Sequence, residues 1–281
     1  MPLAKAIEYG SLSARCHVIR SRFIAPQVLE QLAASRSIGE LAGTLSSTWY
    51  GPFITEVSAE GVQQGLSEAF AYRRNRITRE LKKRQREIFK LFFSTKYMLL
   101  DEKIAKRRGA NPEEDFYQID KNYSALLKKS MLQAASVERH QLKKIVGSYF
   151  DLLNLYTLVK FRLLHRLSIE ETLTYMLPLS ENFKLEELAR LCRVGNLQQL
   201  SSTIEPTVNE KFDSYESFRQ VLYRYHRRYL LSVWSGYPFS IAIPFSLLRL
   251  TEIEVSDMRA ITEGVSFSLD KREIMMMTVG G

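Results

Sequence analysis

Two short segments place acidic and amide side chains at the same spacing. Asp151 is followed three residues later by Asn154, and Glu254 is followed three residues later by Asp257. Residues three apart on a helix share a face, so each pair is expected to act as a unit. Such a pair could serve acid–base chemistry, or it could tie its helix to the backbone of a neighbour. The second interpretation is favoured because buried polar groups are normally hydrogen-bonded for stability.

The surroundings of the two pairs also match. Both segments consist of an acidic residue, two residues, Asn or Asp, an apolar residue, any residue, a small residue and an apolar residue. The segment from Tyr9 to Arg15 is a weaker third relative. This pattern indicates an internal repeat of a helical unit.

Motifs for phosphate, metal and nucleophile chemistry are missing from the sequence. It contains no G-x-x-x-x-G-K-[ST] loop, which argues against ATP hydrolysis by the P-loop route. None of the four histidines has a second His or Cys at metal-ligand spacing. No G-x-S-x-G pattern supports a nucleophile. The acidic pairs at 170–171 and 186–187 fall at predicted helix starts, where they complement the helix dipole. We therefore expect no catalytic residue, no cofactor and no metal.

The composition predicts an all-α fold that positions these segments. Hydrophobic residues form 45% of the 281 residues and aromatic residues 11%, enough for a substantial core. Only 13 Gly and 8 Pro supply turns, and no alternating stretch is long enough to predict a strand. The two cysteines, Cys16 and Cys192, define no disulfide framework, which is typical of a reduced cytosolic protein.

Helix starts are predicted by capping residues, in which a Ser or Asp is followed three residues later by Glu. This spacing occurs at Ser37/Glu40, Ser168/Glu171, Asp213/Glu216 and Asp270/Glu273. A first helix is expected over 3–24, and a continuous, strongly basic helical pattern runs from 59 to 108. Gly109–Pro112 ends that pattern and is the best candidate for a linker.

The stretch 229–248 carries no charged residue and has the length of a membrane span. It also contains Gly236, Pro238 and Pro244. Proline removes a backbone donor, and lipid satisfies no free backbone group, so a transmembrane helix is disfavoured. The pattern instead predicts a helix that ends near Trp234, a buried turn, and a new helix after Pro244.

The net charge of +9 allows three kinds of partner: nucleic acid, an anionic membrane surface or an acidic protein. Many basic residues cluster on the predicted outer face of one segment, namely Arg73, Arg74, Arg76, Arg79, Lys82, Lys83, Arg84 and Arg86. Glu80 stands four residues before Arg84, a spacing common on solvated helix faces. A solvated or protein-facing surface is therefore favoured, and a basic helical nucleic-acid-binding protein is the alternative.

The ordered motifs resemble those of the C/d subunit family of V/A-type ATPases. The N-terminal pattern is matched by Tyr9, Ala14-Arg15 and Arg20-Ser21-Arg22, and a T-x-Y stop by Thr48-Trp49-Tyr50. The D-x-x-N-L-x-x-L motif is matched by Asp151, Asn154, Leu155 and Leu158. The C-terminal E-x-E-x-x-N-L-R-x-I-x-x-G motif reads here as Glu252, Glu254, Asp257, Met258, Arg259, Ile261 and Gly264, and the final helix is matched by Glu273-Ile274. The sequence departs from the family at Asp257, where Asn is usual, and in the richness of arginine over 73–90.

The resemblance implies one domain over 1–281, built as a funnel of three similar helical units around a pseudo-threefold axis. We place the approximate sub-repeats at 1–108, 109–205 and 206–281. The motif residues, Tyr9 and Arg15 included, are implied to be structural.

The implied function is a non-catalytic central-stalk adaptor of a rotary ATPase. The adaptor would receive the rotor shaft of the soluble sector and sit on the membrane rotor ring, peripheral to the cytoplasmic face. It would transmit torque between ATP hydrolysis or synthesis and the transport of protons or sodium. The membrane stator subunit is a further candidate partner, an anionic membrane surface would lie nearby, and no nucleic acid is expected.

Overall fold

The computed structural model describes residues 2–95, 116–133 and 136–279, and every regular element within these ranges is helical. This confirms the predicted all-α class. The α-helices are α1 (Pro2–Arg20), α2 (Pro26–Ala33), α3 (Ile38–Ser46), α4 (Ala59–Arg79), α5 (Lys83–Lys90), α6 (Phe116–Leu132), α7 (Ser136–Leu158), α8 (Ile169–Thr174), α9 (Leu185–Leu191), α10 (Leu197–Val208), α11 (Tyr215–Ser232), α12 (Ala242–Ser266) and α13 (Lys271–Met277). Short 3₁₀ turns lie at Gly51–Phe53 and Val233–Ser235, and π-helical turns at Leu91–Thr95 and Val159–Leu164.

The chain divides into two compact units. Unit 1 combines residues 1–80 with residues 214–281, and unit 2 comprises residues 81–213. The candidate linker Gly109–Pro112, and with it the boundary between the first two sub-repeats, lies outside the described residues. The three sub-repeats stay a prediction.

Three of the four predicted caps are confirmed. The hydroxyl of Ser37 accepts from the Glu40 N–H, and full capping boxes open α8 at Ser168 and α13 at Asp270. The cap predicted at Asp213 is wrong, since α11 begins after Ser214. That residue is extended, with φ −133° and ψ 167°, and its hydroxyl accepts from the Ser217 N–H.

Helix α12 is the centre of unit 1, where it contacts α1, α2, α3, α4, α11 and α13. All of its residues from Ala242 to Val255 are buried. Protein therefore surrounds the second half of the uncharged stretch noted in the sequence. None of the helices in the described ranges combines the length and the apolar composition that a membrane span requires.

The sequence predicted a helix that ends near Trp234, a buried turn and a second helix after Pro244. The two helices are present, but the turn between α11 and α12 is not buried throughout. Helical structure ends at Ser235, and α12 begins two residues before Pro244. The predicted buried turn is wrong at its tip, because residues 236–238 are exposed. A non-helical turn leaves backbone groups unpaired, and these are readily satisfied by water at the surface.

Unit 2 is organised around α7. This helix contacts α6 and continues into the π-helical turn at Val159–Leu164, which in turn contacts α8. Phe150, Leu155 and Leu158 are completely buried and form part of the core. Helix α10 ends at Val208 and is followed by Asn209, whose φ of 58° places it in the left-handed conformation often found after a helix.

The continuous basic helix predicted from residue 59 onward is wrong. Helix α4 ends at Arg79, and α5 begins only at Lys83. Between them Leu81 is buried, and Lys82 is extended with ψ 158°. The extended residue interrupts the helical hydrogen bonds, so the Arg73–Arg86 segment is not one basic helix.

Candidate functional site

Asp151 lies on α7 with its side chain fully buried. Its two carboxylate oxygens accept hydrogen bonds from three consecutive backbone N–H groups, those of Glu181, Asn182 and Phe183, each at 3.1 Å. These residues belong to the connection between α8 and α9. One carboxylate thus holds a non-helical segment that lies about thirty residues further along the chain.

Asn154 is also fully buried, one helical turn after Asp151. Its amide nitrogen donates to the Leu177 carbonyl at 2.9 Å and to the Ser180 hydroxyl at 2.7 Å. Its oxygen accepts from the Leu177 N–H at 2.8 Å. Asn154 therefore pairs with both backbone groups of Leu177. We call Asp151 and Asn154 the unit 2 clasp.

Replacing Asn154 with Leu tests this half of the clasp. The variant leaves the N–H and the carbonyl of Leu177 without their partner, and we expect a loss of roughly 2–4 kcal/mol in the free energy of unfolding. Urea denaturation measures this loss. Gln198→Leu is the matched control, because Gln198 is an exposed amide in the same unit. An unchanged stability in Asn154→Leu would contradict the role of the clasp.

Unit 1 contains the corresponding pair on α12. Asp257, which aligns with Asn154, accepts from the Val279 N–H at 2.7 Å. Glu254, which aligns with Asp151, accepts from the Ile24 N–H at 2.6 Å and from the Tyr50 hydroxyl. These hydrogen bonds are buried or partly buried, and Glu254 itself is only 8% exposed. We call Glu254 and Asp257 the unit 1 clasp.

The second residue of each clasp makes a similar contact, whereas the first residues bind different parts of the chain. Asn154 binds a backbone N–H 23 residues downstream, and Asp257 binds one 22 residues downstream. The first residue of each pair reaches a different part of the chain. Asp151 holds a nearby connection, whereas Glu254 holds residues 230 and 204 positions away. Glu254 therefore joins the N-terminal and C-terminal halves of unit 1.

Arg73 lies close to the unit 1 clasp, a position that the sequence pattern did not predict. The sequence pattern assigned it to the outer face of a basic helix, but it is only 2% exposed. Its guanidinium lies 3.9 Å from the ring centre of Trp49 and donates to Thr251 at 3.0 Å. The buried positions Leu66, Ala69, Arg73 and Ile77 follow helical spacing, and this stripe is the signal that could have revealed it.

Burial shifts the ionisation of all three titratable groups in this cluster. It raises the pKa of the Glu254 carboxyl, which the hydrogen bonds from Tyr50 and Ile24 and the charge of Arg73 oppose. It raises the pKa of Tyr50 well above its usual range, and the nearby Glu254 adds to that shift. It lowers the pKa of Arg73. Within the cluster, Tyr50 donates a hydrogen bond to Glu254, and the charge of Arg73 acts on both groups.

The stretch of the chain that contains both clasps matches a known protein family. Residues 107–277 match the family described as ATP synthase (C/AC39) subunit. The chain belongs to this family. Its members are the C/d subunits of V/A-type ATP synthases, structural subunits that are not themselves catalytic. Among individual curated proteins, none matches the chain.

Family membership places the chain among the subunits of a rotary V/A-type ATPase complex. The matched range contains Asp151, Asn154, Glu254 and Asp257, and it begins after Tyr9 and Arg15. No group of His, Cys, Asp and Glu among the described residues is arranged to hold a metal ion. The clasp side chains form hydrogen bonds, chiefly to backbone N–H and carbonyl groups.

Two further motif residues lie on α12 near its clasp. Glu252 is buried and pairs with Arg249, whose Nε donates to His226 at 3.1 Å. Arg259 donates to the hydroxyl of Ser67 on α4. These contacts join α12 to α11 and to α4.

Gly264 lies where α12 meets α13. A Cβ atom there would stand 2.6 Å from Cγ1 of Ile274, which is closer than real Cβ atoms approach. The glycine therefore permits the close approach of the two helices. Its role is to allow this packing, whereas Asp257, earlier on the same helix, bonds to the backbone beyond α13.

The N-terminal motif residues lie on α1. Tyr9 is 2% exposed and belongs to the core of unit 1. Arg15 forms an ion pair with Glu80, the residue that follows α4. Both residues help to fix the position of α1 within the unit.

Proposed function

We propose that the chain is the central-stalk adaptor of its rotary ATPase, linking the rotor shaft of the soluble sector to the membrane rotor ring. It would transmit torque between ATP hydrolysis or synthesis and the transport of protons or sodium. It would lie on the cytoplasmic face as a peripheral part of the complex, with the stator subunit as a further contact. In this proposal the chain forms a funnel of three similar helical units.

The observation that carries the proposal is the family match over a range that contains both clasps. An adaptor under torque has to keep its shape while carrying a load. Buried carboxylates bonded to backbone N–H groups support this, because charge-assisted hydrogen bonds are stronger than neutral ones. In unit 1 these bonds join segments that are distant in sequence, as at Ile24 and Glu254.

Purification of the tagged chain from native membranes in mild detergent tests the assembly. We expect other rotary-ATPase subunits to copurify, including the shaft and ring subunits. Mass spectrometry of the eluate identifies them, and an untagged strain is the control. Recovery of the chain without any such subunit would contradict the adaptor function.

Coupling gives a more specific test of torque transmission. Membranes from cells that lack the chain should lose ATP-driven ion transport. Adding back the purified chain should restore it. Membranes that pump ions normally without the chain would exclude a role in transmitting torque.

A further inference from the structure

The end of unit 1 at which α1 meets the α11–α12 connection carries a cluster of aromatic and basic side chains. The ring of Trp234 is contacted edge-on by His17, with ring centres 5.0 Å apart. The guanidinium of Arg20 lies 4.6 Å from the centre of the same ring. These contacts bring the basic C-terminal turn of α1 against the aromatic turn that follows α11.

Further cations lie close to this point in sequence. Arg22 is exposed and follows Arg20 by two residues. Arg227 is half-buried in the last two turns of α11, the helix that ends at Ser232, two residues before Trp234. We refer to His17, Arg20, Arg22, Arg227, Trp234 and Tyr237 as the aromatic–basic patch.

The sequence around the patch contains no opposing charge. No Asp or Glu occurs between Glu8 and Glu30, and none occurs between Glu216 and Glu252. The two chain segments that form the patch therefore supply cations and aromatic rings without a carboxylate. Such a surface favours an anionic partner.

The tip of the turn is uncharged and aromatic. Tyr237 is 40% exposed, and its ring centre lies 5.6 Å from that of Phe239. No charged residue occurs between Arg228 and Arg249. Tyrosine and tryptophan are enriched where a membrane meets water, because one end of the side chain is apolar and the other polar. Lys and Arg beside such a tip are attracted to anionic headgroups.

We propose that the aromatic–basic patch binds the surface of an anionic lipid bilayer. Tyr237 and Phe239 enter the headgroup region, and Arg20, Arg22 and Arg227 contact lipid phosphates. An uncharged tip with cations beside it suits a bilayer better than a nucleic acid, whose affinity depends chiefly on cations at phosphates. The proposal rests on the proposed function in one respect: it identifies the patch as the surface of the adaptor that faces the membrane.

Vesicle binding by the purified full chain tests the proposal. The probes are sedimented vesicles of phosphatidylcholine alone and of phosphatidylcholine mixed with phosphatidylserine, at low and at physiological salt. We expect binding to the mixed vesicles and none to the neutral ones, with weaker binding at higher salt. Binding that does not depend on the anionic lipid, or no binding at all, would overturn the proposal.

Matched variants locate the binding surface. Arg22→Glu with Arg227→Glu should weaken vesicle affinity roughly thirtyfold or more, since each arginine contributes to the attraction. Arg76→Glu with Arg272→Glu makes the same change in net charge at exposed positions outside the patch and should have a much smaller effect. Equal losses in both double variants would show a diffuse attraction and reject the patch.

Two further arms separate the alternatives. Tyr237→Ser leaves the charge unchanged and should still weaken binding, and an unchanged affinity would reject the insertion of the tip. Tighter binding of a single-stranded oligonucleotide, lost in the Arg22/Arg227 variant, would reassign the patch to nucleic acid. The vesicles contain no ATPase subunits, so failure here leaves the copurification result unaffected, and failure of copurification leaves the vesicle result standing.

Discussion

Asp151→Ala should destabilise the protein by roughly 3–5 kcal/mol, because it removes the acceptor for three backbone N–H groups at once. Glu181, Asn182 and Phe183 all donate to this carboxylate, and the carboxylate itself is fully buried. A loss of this size is a large fraction of the stability of an ordinary domain. Thermal and urea denaturation both measure it.

Two variants make the Asp151 result specific. Asp151→Asn keeps one oxygen acceptor and should fall between Asp151→Ala and the wild type. Glu186→Ala removes an exposed carboxylate in the same unit and should change stability little. If Asp151→Ala were no more damaging than Glu186→Ala, the carboxylate would not hold the α8–α9 connection.

Glu254→Ala should have an effect of similar size in unit 1, roughly 3–5 kcal/mol. The substitution leaves the Ile24 N–H and the Tyr50 hydroxyl without their acceptor. It also removes a carboxylate whose charge favours the ionised form of the buried Arg73. Urea denaturation measures the loss. Glu263→Ala on the same helix is the control, because Glu263 is exposed, and an equal loss in that variant would contradict the assignment.

The pH dependence of Glu254→Gln provides a second measurement on the same group. The folded-state pKa of Glu254 is raised, chiefly by burial. A group with a raised pKa favours folding most when it is protonated, and that contribution declines as the pH rises from the unfolded value through the folded one. Glutamine keeps an acceptor and does not titrate.

The wild type loses this contribution as the pH rises above about 4.5, the ordinary pKa of a glutamate carboxyl, whereas Glu254→Gln does not. The stability of Glu254→Gln relative to the wild type should therefore increase over this range. Urea denaturation between about pH 4 and pH 8 follows the difference. A constant difference across this range would show that the pKa of Glu254 is the same in the folded and unfolded states.

The clasp pairs illustrate what spacing predicts. Asp151 with Asn154, and Glu254 with Asp257, were singled out because residues three apart share a helix face. The structure places each pair on a single helix, with both of its members buried. The spacing could not say which backbone groups they hold. Those partners are 22 to 230 residues away, at positions that depend on how the helices pack.

Arg73 shows why a charge pattern misleads when burial is unknown. Its neighbours along the sequence include many cations, which suggested a common outer face. A guanidinium can be buried when aromatic rings and polar groups surround it, as Trp49, Phe23 and Thr251 do here. The rings come from segments that are distant in sequence, so no local pattern announces them.

The sequence by itself determined the helical class, three of the four predicted helix caps and the positions of the two clasps. These depend on short-range physics: a cap bonds a backbone N–H three residues away, and helical periodicity repeats within two turns. Only the tertiary structure decided that residues 1–80 fold with residues 214–281, that Glu254 joins these two parts, and that the turn at 236–238 lies at the surface. Those outcomes depend on which apolar faces bury one another, and that choice is made by the packing of the whole chain.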